Sequence, residues 1–274
     1  MMLGGPLSAE DAAMFDDAVV PRYLSHFGGL TAEMLLPSAG AQIAHLGCRT
    51  GYPDPLVAEK LPGCGIYGVD TSEAALGVAR SKALLFTDVT AAYAAGDIAP
   101  SQLGAEAFTH AYCLHPLCDP EGRAAILNEL RRLLMPGGQA LLALPLRGSF
   151  PEVSDMIREF ALRQDLSDLG KAVDSAAASR PTIETISEEF EDAGLSEVDV
   201  DVQLIAVSFP NGREFLDDPI TRLMVLPEVR AVLTMDEAVS TACMRYVHEA
   251  IGKYWSEGVF ELTVNVGCAS GRKF

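Results

Sequence analysis

The sequence predicts an α/β fold, built on a mostly parallel sheet with helices on both faces. Three observations predict it. The apolar run Ile43-Ala44-His45-Leu46 enters a glycine-bearing turn, Gly47-Cys48-Arg49-Thr50-Gly51, and a second apolar run ends on Asp70, nineteen residues after Gly51. That is the layout of a nucleotide-binding βαβ unit. Apolar strand-like segments then alternate with helical ones as far as residue 145, the pattern of parallel strands joined by helical crossovers. Finally, Pro136-Gly137-Gly138 separates the last of these helices from the apolar run 139–145.

The elements follow in order. Residues 9–36 read as helical, with Met14, Val19, Val20, Tyr23, Leu24 and Phe27 at apolar positions, and Ser38-Ala39-Gly40 ends them. The first strand is about 41–46. A helix begins at Asp54-Pro55, with Asp54 as its N-cap and Pro55 at its first helical position, and stops near Leu61-Pro62-Gly63. The second strand is about 64–69. Thr71 or Ser72 caps a helix running to about Leu84. Strands at about 89–94 and 107–113, a helix at about 120–134 and a strand at 139–145 complete the alternating part. Right-handed crossovers place the C-terminal strand ends along one edge, where ligands bind. Gly47, Asp70, Asp97 and Cys113 all fall at or just after such ends.

Beyond residue 145 the pattern changes. Residues 150–178 and 182–193 read as helices, the latter ending at Gly194. Residues 197–209 alternate as an antiparallel strand does, helices occupy about 211–255, and the apolar run 260–267 is a last strand.

Composition narrows the function. The 274 residues suit one large domain or a domain with a cap, and 49% hydrophobic content is ample for a core. No run reaches the roughly 18–20 apolar residues of a membrane span. Met1 to Asp16 lacks the basic region and apolar block of a secretory signal. These features favour the cytoplasm. With 38 acids against 20 bases, the net charge of −18 disfavours nucleic acid and anionic lipid surfaces as partners. The six cysteines show neither zinc-ligand spacing nor a disulfide pattern, so no metal is expected and they read as reduced, buried thiols.

The run 43–51, Asp70, Gly96-Asp97 and Pro136-Gly137-Gly138, in this order, resemble the motifs of the class I S-adenosylmethionine (SAM)-dependent methyltransferases. The resemblance covers about 15–270 and is most specific in 41–146. It implies a seven-stranded, mostly parallel Rossmann-like sheet whose last strand is antiparallel and lies between the fifth and sixth. Helical insertions at about 147–180 and 210–257 resemble those of the branch containing the malonyl-carrier-protein O-methyltransferase. A single domain is expected, with core segments at about 37–146, 181–209 and 258–270 and these insertions as a helical cap. Met156, Ile157, Phe160, Leu162, Ile220, Leu223, Met224 and Leu226 supply apolar residues to that cap, as its packing or as a lid.

The resemblance also implies roles. Gly47, Cys48 and Gly51 would lie against the cofactor, Asp70 beside Thr71 would hold its ribose hydroxyls, and Asp97-Ile98 would bracket its adenine. Residues around Cys113 and Leu114 would line the site. Asp70 also reads as an ordinary strand-end acid, and Gly96-Asp97 as an ordinary turn. Two positions depart from the family pattern. His45 stands where an acid that helps hold the cofactor's ammonium is expected, and reads either as part of the site or as a histidine satisfied inside the fold. Arg49 stands at the middle glycine, where its side chain points away, reaches the ligand's carboxylate, or fills the pocket. His115, just past the fourth strand, is the candidate base or substrate contact, with Tyr112 and Asp119 behind it. These residues predict a SAM-dependent methyltransferase acting on a small molecule or a carrier-bound acyl group. The departures at 45 and 49 motivate the alternative of a catalytically degenerate relative with a binding or regulatory role.

Overall fold

A computed structural model describes residues 3–233 and 236–274. The chain opens with α1 (Ala9–Met14), a π-helical stretch Phe15–Leu24 that contains Pro21, and α2 (Ser25–Met34), the predicted helical segment in three parts. There follow β1 (Gln42–Leu46), α3 (Asp54–Lys60), β2 (Gly65–Asp70), α4 (Glu73–Ala83), β3 (Thr90–Ala95), β4 (Phe108–Leu114), α5 (Pro120–Leu133) and β5 (Leu134–Pro145). The rest comprises α6 (Pro151–Arg163), α7 (Ser167–Ser179), α8 (Ile183–Asp192), β6 (Ser196–Phe209), α9 (Gly212–Asp217), a π-helical turn Thr221–Val225, α10 (Leu226–Val232), α11 (Glu237–Tyr254) and β7 (Phe260–Arg272). The helical span expected at 211–255 is thus four pieces, and its residues 234–235 lie outside the described ones. The span expected at 150–178 breaks between α6 and α7, where Asp165 takes a positive φ of 53°.

The seven strands are ordered β3-β2-β1-β4-β5-β7-β6. β1 pairs in parallel with β2 and β4, β2 with β3, and β4 with β5. On the other side of β5 the direction reverses. Gly137 donates to the Lys273 carbonyl at 2.6 Å and Lys273 to that of Gly138 at 3.0 Å, while Leu146 donates to that of Asn265 at 2.8 Å. Residue numbers rise on one strand as they fall on the other, so β7 runs antiparallel to β5. The expected sheet is therefore the observed one.

Local chemistry explains the elements that position the parallel edge. The Ser72 hydroxyl caps α4 by accepting from the Ala75 amide, and the Asp119 carboxylate caps α5 by accepting from that of Gly122. Pro120 takes the first helical position of α5, where no amide hydrogen is needed. Ile126, Leu127, Leu130 and Leu133 then form the buried stripe of α5. Arg123 clamps Glu189 of α8 through two hydrogen bonds of 2.6 and 2.7 Å. One cap differs from expectation. Asp54 is not the N-cap of α3: Pro53 holds that place, Asp54 is the first helical residue, and its carboxylate is turned into the protein.

The chain divides into two compact units, residues 1–144, 182–202 and 266–274 in one and residues 145–181 and 203–265 in the other. In the second unit α6 buries Val153, Met156, Ile157 and Phe160. Leu162 is 83% exposed, because the 100° step per residue carries it off that face, so it does not join the predicted apolar group. Phe209, Phe215 and Phe260 form an aromatic cluster in the same unit, with ring centroids 5.0 and 4.2 Å apart in successive pairs.

Candidate functional site at the parallel strand ends

Every residue named as a candidate from the sequence lies in the first unit. β1 ends at Leu46 and the chain turns at once through Gly47, whose φ is +68° and whose amide donates to the Val69 carbonyl at 2.8 Å. Cys48 is buried, and Thr50 and Gly51 complete the turn, Gly51 at φ +77°. A Cβ placed on Gly47 would lie 3.8 Å from both Cys113 Sγ and Ile98 Cδ1, so these three residues are close neighbours. Thr71 and Asp97 are exposed, whereas Ile98 and Cys113 are buried.

Asp70 ends β2 and is only 2% exposed. Its Oδ1 accepts from the Ser72 amide at 2.8 Å and its Oδ2 from the Arg49 amide at 3.0 Å. The Arg49 guanidinium adds an ion pair, 3.5 Å from Oδ1. Arg49 holds this position with φ +45°, a left-handed conformation that costs a side-chain-bearing residue free energy. The Arg49 side chain thus turns onto the strand-end acid of its own chain.

His45 is fully buried, and its surroundings follow from register. His45 pairs with Gly68 on β2 and Tyr112 on β4, and Gly68 with Tyr93 on β3, so all four lie in one row on one face of the sheet. Gly68 leaves the gap in this row. A Cβ there would lie 2.4 Å from the Tyr93 ring and 2.8 Å from Cys48 Sγ, so only glycine lets Tyr93 lean across. The row converges on Asp54. His45 Nδ1 is 2.8 Å from its Oδ1, the Tyr93 hydroxyl donates to Oδ2 at 2.6 Å, and the Tyr112 hydroxyl donates to Oδ1. The carboxylate accepts both phenol protons, and His45 turns Nδ1, not Nε2, towards it. Nε2 and the Thr50 hydroxyl are buried with no hydrogen-bond partner. Burial, reinforced by the charge of Asp54, pushes both phenols above their usual range, so they stay protonated and donate. Burial also raises the Cys48 thiol, with smaller contributions from Asp54 and Asp70.

His115 follows β4 at φ +47° and is anchored by its amide to the Ala143 carbonyl. Its Nε2 lies 2.7 Å from the Tyr23 hydroxyl, and its ring packs edge-on against Phe27 at 4.8 Å. Tyr112 faces Asp54 instead, and Asp119 is the α5 cap. Sequence reasoning did not single out Asp54 or Tyr23 as partners. Asp54 reads as a helix cap, and Tyr23 meets His115 across 92 residues, so no local pattern reports either.

Comparisons agree with the fold. Residues 43–138 match the family model described as a methyltransferase domain. Trans-aconitate 2-methyltransferase of Acidovorax sp. is 29% identical over 170 residues, 60% of this chain and 62% of the relative. Malonyl-[acyl-carrier protein] O-methyltransferase of Alcanivorax borkumensis is 27% identical over 134 residues, 49% of this chain and 45% of the relative. The chain thus spans between 45% and 62% of the length of these curated relatives. Among solved structures, the YcgJ protein of Bacillus subtilis shares the fold at TM-score 0.56 and 13% identity, covering 91% of this chain and 98% of that one. A Haemonchus contortus phosphoethanolamine N-methyltransferase, solved with S-adenosyl-L-methionine, does so at TM-score 0.52 and 14% identity, covering 98% and 60%. Residues 43–138 thus resemble a methyltransferase domain, and the sheet order is that of the solved structures that share the fold.

Proposed function

We propose that this chain transfers a methyl group from SAM to a small molecule or to a carrier-bound acyl group. The observation that carries the reading is the buried acid Asp70 at the end of β2, bonded to the turn after β1, with Gly47 of that turn close to Ile98 and Cys113. The residues fit a nucleoside. Asp70 is an acceptor suited to two ribose hydroxyls, the Gly47 backbone permits close approach, and Ile98 offers an apolar face to a base, with Asp97 beside it for the amino group. Thr71, Cys48 and Gly51 complete this proposed cofactor set. The amino-acid end of the cofactor is assigned to the turn above His45, whose Nε2 is buried without a partner.

When bound, SAM supplies an electrophilic methyl group. The chain's part is to align the acceptor with it, since an in-line displacement depends chiefly on proximity. His115 is the proposed base or acceptor contact, and Tyr23 is the residue that fixes its ring. The left-handed backbone at His115 is the sort of strain that persists where a side chain must be aimed. The names of the relatives, a trans-aconitate and a malonyl-carrier methyltransferase, support small acids and carrier-bound acyl groups as acceptors. No helix among the described residues is long and apolar enough to cross a membrane. One observation favours the alternative, a binding or regulatory protein: Asp70 is already occupied by Arg49.

The test is methyl transfer from labelled SAM to a panel of tricarboxylates and malonyl-carrier thioesters. Transfer to one of them is expected. His115→Asn then lowers turnover by about 100-fold or more while leaving affinity for S-adenosylhomocysteine (SAH) unchanged. SAH binding without transfer to any acceptor would favour the regulatory reading.

A further inference from the structure

The segment Leu3–Ser8 runs across the ends of β4, β1 and β2, beside the proposed cofactor residues. Its Leu3 amide donates to the Leu117 carbonyl at 2.7 Å, beyond the end of β4. Its Leu7 amide donates to Ser72 Oγ at 3.0 Å, and the same hydroxyl donates back to the Leu7 carbonyl. Between these ends, Arg49 Nη1 donates to the Gly5 carbonyl at 3.2 Å. A Cβ on Gly4 would meet Leu117 at 3.1 Å and Arg49 Nη2 at 3.2 Å, so the segment lies directly against the guanidinium. The same guanidinium is ion-paired with Asp70, and Ser72, which holds Leu7, also donates its amide to Asp70.

We propose that Arg49 is a latch that decides access to the cofactor site, joining Leu3–Ser8 to Asp70, and that a ligand's ribose must displace it. The proposal rests on the reading of Asp70 as the ribose acid. The physical argument is competition. Asp70 is 2% exposed, so a ribose reaches its oxygens only where the guanidinium and the segment it holds give way. Both are held by exchangeable hydrogen bonds from loops and by a residue in a left-handed conformation, whereas the glycine usual at this position in the family has no side chain to latch. Arg49 is therefore a residue that sets affinity by opposing the ligand. It also keeps a buried carboxylate paired while no ligand is present.

The test uses the full chain and two readouts, calorimetric titration with SAH and amide hydrogen exchange of residues 3–8. Arg49→Gly is expected to bind SAH about tenfold more tightly than the unaltered chain, the effect of removing one competing charged hydrogen bond. Saturating SAH is expected to speed exchange at Leu3 and Leu7 in the unaltered chain, and Arg49→Gly to show fast exchange there without SAH. Gly4→Asp, which sets a carboxylate beside the guanidinium, is expected to weaken SAH binding. Equal or weaker SAH binding by Arg49→Gly, or slower exchange at Leu3 and Leu7 on adding SAH, would overturn the latch while leaving the cofactor site intact. Failure of every one of these chains to bind SAH at millimolar concentration would overturn the cofactor reading, and the latch with it.

Discussion

Asp54 and Asp70 are both buried acids of the first unit, yet they are held in opposite ways. Asp54 is fully buried and takes its hydrogen bonds from His45, Tyr93 and Tyr112, side chains fixed on β1, β3 and β4 of one sheet. Asp70 takes its bonds from the amides of Arg49 and Ser72 and from the Arg49 guanidinium, all beyond strand ends. Strand side chains in register have nowhere else to go, so Asp54 is a fixed point under the turn. Loop donors exchange at little cost, so Asp70 can trade them for a ligand's hydroxyls. The contrast separates the acid that builds the turn from the acid proposed to meet a ligand there.

That contrast breaks first under substitution of Asp54. Asp54→Ala is expected to destabilise the fold by about 3–5 kcal/mol, since it leaves an imidazole and two phenols buried without their acceptor. Denaturant unfolding measures it. Asp54→Asn, which keeps an acceptor oxygen, is expected to cost less. A loss below about 1 kcal/mol in Asp54→Ala would mean that the row is ornamental to stability.

A smaller effect sharpens the difference through the thiols. Burial raises the pKa of both Cys48 and Cys113. A raised thiol pKa keeps the unreactive protonated form as the pH climbs past 8, so the sign is protection. Alkylation at pH 8 is therefore expected to reach the half-buried Cys118 before either, as peptide mass spectrometry would show. Arg49→Gly is expected to speed modification of Cys113, a close neighbour of Gly47, and to leave Cys48, under the turn, protected. Equal acceleration at both would erase the distinction between the two regions.

The sequence made the strand ends more legible than the foundation. Gly47, Asp70 and Asp97 sit at strand ends that hydrophobic alternation locates, and the Pro136-Gly137-Gly138 turn sets off the apolar run of β5. The sheet order followed from the family resemblance and right-handed crossovers. The foundation was hidden because it depends on lateral register. Nothing local tells that His45, Gly68, Tyr93 and Tyr112 share one row, or that Asp54 turns inward instead of capping its helix. The latch was hidden for a similar reason, because Gly5 and Arg49 are 44 residues apart and meet through a backbone carbonyl, which carries no residue-type signal. Tyr23 was read as an apolar helical position, and its hydroxyl acquires meaning only beside His115.

The central claim is that Asp70 is the acid a bound nucleoside uses. Calorimetric titration of SAM and SAH into the chain and into Asp70→Ala tests it directly. The account predicts micromolar binding by the unaltered chain, weakened by about 10- to 100-fold in Asp70→Ala, with the unfolding transition of the variant preserved. Binding of equal strength in the two chains, or none in either at millimolar ligand, would contradict it.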